Sequence, residues 1–179
     1  MIPNALPDSL VDNPRLDQWI AFEAGGKVRL SSGKVEIGQG VQTAMIQIAA
    51  DELDVDFDQV RIIAGRTGAS PNEGYTSGSR SIEAGGTAVR LVSAEVRSLF
   101  LEKAAFKLGC KPTELTMRQG RVLRGGTETG HDYWTLSGEV DLARTATGSA
   151  PVKRKQDRRY IGKPVRRVDL PAKIFATDA

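Results

Sequence analysis

The strongest constraint on this chain is a pair of glycine-rich stretches, each placed where an apolar helical pattern begins. The first reads Val35-Glu36-Ile37-Gly38-Gln39-Gly40-Val41-Gln42-Thr43. The second runs from Asn72-Glu73-Gly74-Tyr75-Thr76-Ser77-Gly78-Ser79-Arg80-Ser81 to Ile82-Glu83-Ala84-Gly85-Gly86-Thr87. A glycine loop opening onto a helix exposes backbone N–H groups and the positive end of the helix dipole, which suits a phosphate or another anion. Two such loops in one small chain point to a large, polar, anionic ligand held from two sides. Glycine is also the ordinary residue of any tight turn, so either loop alone says little.

A chain of 179 residues, 40% hydrophobic and 26% charged, is long enough for one globular domain with a tail. Its N-terminus lacks the basic flank and apolar run of a signal peptide, and a cytoplasmic location is expected. No apolar run reaches the length of a membrane span. One cysteine, Cys110, and one histidine, His131, argue against a disulfide framework, a protein-ligated metal and a cluster site.

The pattern predicts an α+β unit in which two helices pack on a small mixed sheet. An extended arm is expected over 1–17, a binding domain over 18–150, and a basic strap over 151–179. Trp19–Glu23 and Val28–Ser32 alternate around Gly25-Gly26 as a β-hairpin. Ala44, Met45, Ile48, Ala49 and Leu53 recur at helical spacing over 43–53. Val60–Ala64 reads as a strand. A long helix is expected from Ile82 to Leu108, with Val89, Val92, Val96, Leu99 and Phe100 buried and Gly109 as its stop. Leu115–Arg118 and Arg121–Arg124 form a second hairpin through Gln119-Gly120, and regularity fades beyond Gly125.

Between Pro151 and Lys173, nine basic and two acidic residues give +7, which leaves −4 for the rest of a chain whose total is +3. Lys163-Pro164 and Leu170-Pro171 disfavour helix at 163 and 170. An extended strap is therefore expected, packed on acidic surface of its own domain or a partner. Exposed ion pairs contribute only about 0–1 kcal/mol each, so Val165, Val168 and Leu170 are expected to supply packing.

The order Gly38-Gln39-Gly40, Glu52-Leu53-Asp54, Val60-Arg61-Ile62 and Pro71 to Ser79 resembles the large subunit of the molybdenum hydroxylases, the xanthine dehydrogenase and aldehyde oxidase group. It is most similar to the branch of isoquinoline 1-oxidoreductase beta subunits and nicotinate-dehydrogenase-like proteins. The resemblance covers about residues 15–175, half of a molybdopterin-binding domain, and the tail Ile161–Lys173 resembles the stretch that enters the next domain.

This resemblance implies an oxidoreductase that hydroxylates an N-heterocycle or aldehyde with water-derived oxygen. Its cofactor would be a molybdopterin dinucleotide, in the cytosine form, with the metal held by the pterin rather than by protein side chains. Iron–sulfur clusters would sit on a separate subunit, and the remainder of the large subunit would be the other partner. By position, Gln39 matches the glutamine beside the metal, Gly38 and Gly40 its flanking glycines, and Gly78, Ser79 and Ser81 the segment that binds the cofactor's phosphates and pterin. Thr76 and Thr43 could add hydroxyl donors or act as helix N-caps. The family's general-base glutamate matches neither Glu36 nor Glu73, so the chain alone is expected to be inactive. An apolar patch is expected beside the two loops. The competing readings are a scaffold domain that keeps the fold without ligand and a nucleic-acid binder using the basic tail. His131 is expected in a surface turn and Cys110 buried.

Overall fold

The computed structural model describes residues 5–175. Its first layer is a mixed three-stranded sheet, β1 (Ile20–Glu23), β2 (Lys27–Ser32) and β3 (Val60–Ala64). The first two strands pair antiparallel, with Ile20 opposite Leu30. The loop between them carries Gly25 and Gly26 at φ +76° and +73°, a region that favours glycine. β2 and β3 run parallel, with Val28 opposite Val60 and Leu30 opposite Ile62.

The N-terminal arm is not extended. α1 (Asp8–Asp12) follows Pro7, and Leu10 and Leu16 are fully buried. Residues 1–4 lie outside the described residues. The two buried leucines gain more from the core than the prolines cost.

Parallel neighbours need a crossover. Here it is α2 (Val41–Leu53), whose Met45, Ile46, Ala49, Ala50 and Leu53 are buried. Against it lies α3 (Thr87–Leu108), burying Ala88, Val89, Val92, Val96, Phe100 and Ala104. Leu99, expected in that stripe, is only partly buried. Gly109 ends α3 in the left-handed region at φ +61°. Before α3, Ser81–Gly86 is wound as a π-helix rather than as the expected α-helical turn. Gly85 and Gly86 pack closely there: an ideal Cβ would lie 2.5 Å from Glu73 Oε1 at Gly85 and 3.1 Å from Ile48 Cδ1 at Gly86.

A second, antiparallel sheet joins β4 (Leu115–Arg118), β5 (Arg121–Arg124) and β6 (Thr127–Asp132). The β4–β5 turn holds Gln119 and Gly120 both at positive φ, the twist that matches a tight hairpin. β6 and the short α4 (Tyr133–Leu136) lie where regularity was expected to end, and His131 is on β6 rather than in a turn. Tyr133 stacks on Phe22 at 4.6 Å and meets Phe100 edge-on at 4.9 Å, joining the second sheet to the main core. Its hydroxyl donates to the Leu53 carbonyl at 2.9 Å. Cys110, just past α3, is half-buried rather than buried.

The strap runs back along α2, antiparallel to it, and packs on acids of its own domain. Glu52, fully buried, accepts from Arg90 and Arg97 and from the Lys153 N–H. Asp51 accepts the N–H groups of Arg159, Tyr160 and Ile161 at 2.7, 3.0 and 2.8 Å. Lys153 pairs with Asp54 and Arg159 with Asp56. Gln47 donates to the Tyr160 carbonyl at 2.7 Å, and Thr43 Oγ1 accepts from the Val168 N–H at 3.1 Å. The apolar expectation holds only in part: Val165 is half-buried, but Val168 and Leu170 are exposed. Polar contacts to α2, with Val152 and Tyr160 against the core, hold the strap. It is not extended throughout either, because α5 (Leu170–Phe175) begins at Leu170. Pro171 falls in its first turn, where the missing N–H has no partner to lose. Residues 176–179 lie outside the described residues.

Candidate functional site

Both glycine loops lie at one edge, and hydrogen bonds tie them together. The Val35 N–H donates to Thr76 Oγ1 at 2.8 Å. Ser32 Oγ and the Gly33 N–H donate to Glu73 Oε2 at 2.8 and 2.6 Å. Lys34 is buried, and its ammonium donates to the carbonyls of Glu73 and Tyr75 at 2.7 and 3.3 Å. A positive charge therefore lies directly beneath the second loop, satisfied by carbonyls alone. Glu73 Oε1 is buried with no protein partner among the described residues.

The first loop does not present a free anion site. The Glu36 carboxylate fills it, accepting from the N–H groups of Gly38 at 2.9 Å, Gly40 at 2.8 Å and Gln42 at 3.2 Å. Burial pushes the Glu36 pKa up, but the N–H donors of Gly40, Gln42 and Gly38 outweigh it and hold the group below its usual range. Gly40, in the left-handed region at φ +77°, is the residue before α2 and has no side chain to cap it. Glu36 does so from outside, and the signal was available: an acid just ahead of a helix that lacks Ser, Thr, Asp or Asn at its first boundary. Thr43 and Thr76 are not N-caps. Thr43 is inside α2 and holds the strap, and Thr76 binds the first loop.

Gln39 is exposed at the apex of this loop. Its Oε1 accepts from the Ile37 N–H at 2.7 Å, and its Nε2 donates to the Val35 carbonyl at 2.9 Å. An amide nitrogen carries two hydrogens, so one donor stays available. Gly38, at φ +108°, has open space around it.

The second loop is the open one. Gly78 and Ser79 are both left-handed, at φ +64° and +59°. Both residues are exposed, so their N–H groups are open to an incoming acceptor. Among the described residues, the N–H groups of Gly78 and Ser79 and the hydroxyls of Ser79 and Ser81 have no hydrogen-bond partner. No side chain caps the helical run that starts at Ser81, and Glu83 lies in its first turn. Arg80, which sequence reasoning passed over, adds a guanidinium held by Asp8. A cavity of about 310 Å³ lies here, between Lys34, Glu73, Tyr75, Ser77, Gly78 and Arg80. A larger cleft of about 620 Å³ opens on the far side of Arg80, between the end of the second glycine stretch (Glu83, Ala84 and Thr87), Arg90 and the strap. Among the described residues no group of His, Cys, Asp and Glu could hold a metal ion. None of the described helices is long and apolar enough to cross a membrane. The cavity carries both signs of charge, Lys34 and Arg80 against Asp8, Asp12 and Glu73.

The chain is 33% identical over 163 residues to a nicotinate dehydrogenase subunit of Pseudomonas putida, covering 91% of this chain and 14% of that protein. It is 24% identical to the beta subunit of isoquinoline 1-oxidoreductase of Brevundimonas diminuta, covering 97% of this chain and 28% of that one. Among solved structures, CO dehydrogenase from Oligotropha carboxidovorans superposes with a TM-score of 0.54 at 29% identity, over 60% of this chain and 13% of that one. The chain thus spans less than a third of these relatives. Residues 7–164, covering both sheets, both loops and the first part of the strap, match the molybdopterin cofactor-binding domain family, and the chain belongs to it.

Proposed function

We propose that this chain supplies part of the molybdopterin-dinucleotide site of an oxidoreductase that hydroxylates an N-heterocycle or an aldehyde. The observation that carries the reading is the pairing of an open donor loop at Gly78–Ser81 with a closed, self-capped loop at Gly38–Gly40 on one edge. Gly78, Ser79, Ser81 and Thr76 hold the anionic part of the cofactor, and the neutral N–H groups and Arg80 balance its charge. Gln39 orients the metal end with its remaining amide hydrogen, between Gly38 and Gly40, which keep side chains away from the ligand. When bound, the cofactor supplies the two-electron oxidation that puts oxygen from water on carbon. The names of the nicotinate and isoquinoline enzymes favour an N-heterocycle as substrate, and the dinucleotide is taken to be the cytosine form.

The rest of the large subunit completes the enclosure, and a separate iron–sulfur subunit takes the electrons, in the cytoplasm. Val35, Ile37, Tyr75 and Ile82 are 45%, 73%, 92% and 47% exposed beside the two loops, an apolar rim that such a counterpart would cover. Five of the strap's nine cations, Lys153, Arg154, Arg159, Arg167 and Lys173, are already paired with acids of this chain, which weakens the case for a nucleic acid.

The test is Gln39→Ala in the assembled enzyme. Metal and pterin content should stay at the wild-type level while turnover falls at least about tenfold. Unchanged turnover at full cofactor loading removes Gln39 from the site.

A further inference from the structure

A chain of charged side chains links the end of the strap to the first glycine loop. Lys173 Nζ donates to Asp169 Oδ2 at 2.8 Å. Asp169 also takes a two-pronged contact from Arg167, Nε to Oδ1 at 3.0 Å and Nη2 to Oδ2 at 2.8 Å. These donors hold the Asp169 carboxyl far below its usual range. Arg167 then reaches across to the loop. Its Nη1 donates to the Gly38 carbonyl at 2.9 Å, and its Nη2 lies 3.5 Å from Glu36 Oε1.

Glu36 Oε1 is the same oxygen that accepts from the N–H groups of Gly38 and Gly40. Gly40 has no side chain, and the guanidinium occupies the open face above it: an ideal Cβ there would lie 3.9 Å from Arg167 Cζ. Beside this contact, Val168 donates its N–H to Thr43 on the first turns of α2. The loop's internal hydrogen bonds set the shape around Gln39 but leave the Gly38 carbonyl without a donor from the loop. Arg167 provides that donor from a segment more than a hundred residues away in sequence.

We propose that Arg167 is a positioning residue for Gln39, acting through Gly38 and Glu36, with Asp169 and Lys173 fixing its guanidinium. The strap then does more than connect: it sets the geometry of the first loop. A fork that is planar and paired on both edges fixes direction as well as distance, which a lysine cannot reproduce. The functional meaning of this device rests on the reading of Gln39 as a cofactor contact, but the device itself does not, so its test needs no cofactor.

The 179-residue chain is labelled with nitrogen-15, and Gln39 side-chain resonances and amide exchange are followed in wild type, Arg167→Gln and Arg167→Lys. In wild type, the two Gln39 side-chain hydrogens should be well separated, because one is bonded to Val35. In Arg167→Gln they should move toward the values of a free amide, and the amides of 38–42 should exchange at least about tenfold faster, with those of 89–104 in α3 unchanged. Arg167→Lys should fall between, keeping charge near Glu36 but losing the fork. Unchanged Gln39 resonances and unchanged exchange over 38–42 in Arg167→Gln overturn the proposal, because the loop then holds itself. Equal acceleration over α3 overturns it too, because Arg167 then serves only global stability. Displaced Gln39 signals in Arg167→Gln with unchanged turnover at full cofactor loading in the assembled enzyme would instead count against the cofactor reading of Gln39.

Discussion

Gly33→Ala tests the junction of the two loops most severely. Gly33 follows β2, and an ideal Cβ there would lie 2.2 Å from the Pro71 carbonyl oxygen and 2.9 Å from the Glu73 nitrogen. Ordinary contact begins at 3.4 Å, so the backbone of the second loop must retreat by 1.2 Å. Both obstructing atoms are backbone, so no side-chain rotation relieves the clash. Overpacking of this kind costs about 1–3 kcal/mol. The same movement stretches the Gly33 and Ser32 hydrogen bonds to Glu73, each a contact to a carboxylate contributing about 1.5–3 kcal/mol. Because the two bonds are weakened rather than lost, the net cost is set at roughly 3 kcal/mol, a large fraction of the ~5–15 kcal/mol typical of a domain, which should lower Tm by about 6–12 °C. Thermal unfolding followed by circular dichroism reads this directly. Gly25→Ala is the control, since it bears the strain of a positive φ of +76° but meets nothing within 4 Å. A Gly33→Ala midpoint within about 2 °C of wild type, or equal to that of Gly25→Ala, would refute the close-approach reasoning.

Further outcomes follow from single contacts. Glu52→Ala leaves Arg90 and Arg97 facing a buried void and should cost about 3–5 kcal/mol in urea unfolding. Tyr133→Phe loses only the bond to the Leu53 carbonyl and should cost about 1 kcal/mol with packing intact. Glu36 has a folded pKa below its ordinary 4.5, so its contribution is complete above that value and is lost as pH falls through the lowered one. Glu36→Gln should therefore flatten the acid limb of the stability curve below about pH 4.5 while leaving a deficit at neutral pH. Trypsin should cut the isolated chain after Arg166 faster than after Arg159, whose own N–H and those of its two successors are held by Asp51.

The elements that could be read from the sequence are those whose pattern and punctuation agree. The Gln119-Gly120 hairpin, the Gly109 stop and the stripe of α3 each combine an apolar period with a residue suited to positive φ. β6 was hidden because Thr127-Glu128-Thr129-Gly130 has no apolar alternation; it is an edge strand held by its partner. The Asp132–Thr135 capping box did mark the start of α4. α1 was masked by its prolines, although Pro7 followed by Asp8 is itself a helix-opening pair. At the site, residue types alone placed the two loops together, but they could not assign the donors. Glu36 takes those of the first loop, a consequence of how the backbone folds around its carboxylate. The strap's acidic bed was foreseen as a class of surface, while its position on α2 depends on Asp51, Glu52 and Gln47, whose polar side chains carry no pattern that names a partner.

The central claim is that Gly78–Ser81 receives the anionic cofactor. Gly78 is left-handed, with only Arg80 Cγ, at 3.9 Å, near an ideal Cβ; Gly125, in the β5–β6 turn, is left-handed with nothing near it. Valine at either place brings the same kind of backbone strain, but only Gly78 faces the proposed ligand. Molybdenum by mass spectrometry and pterin by fluorescence should be measured in the assembled enzyme for Gly78→Val and Gly125→Val. Cofactor lost from Gly78→Val and retained by Gly125→Val is the predicted result. Full metal and pterin content in Gly78→Val would contradict it.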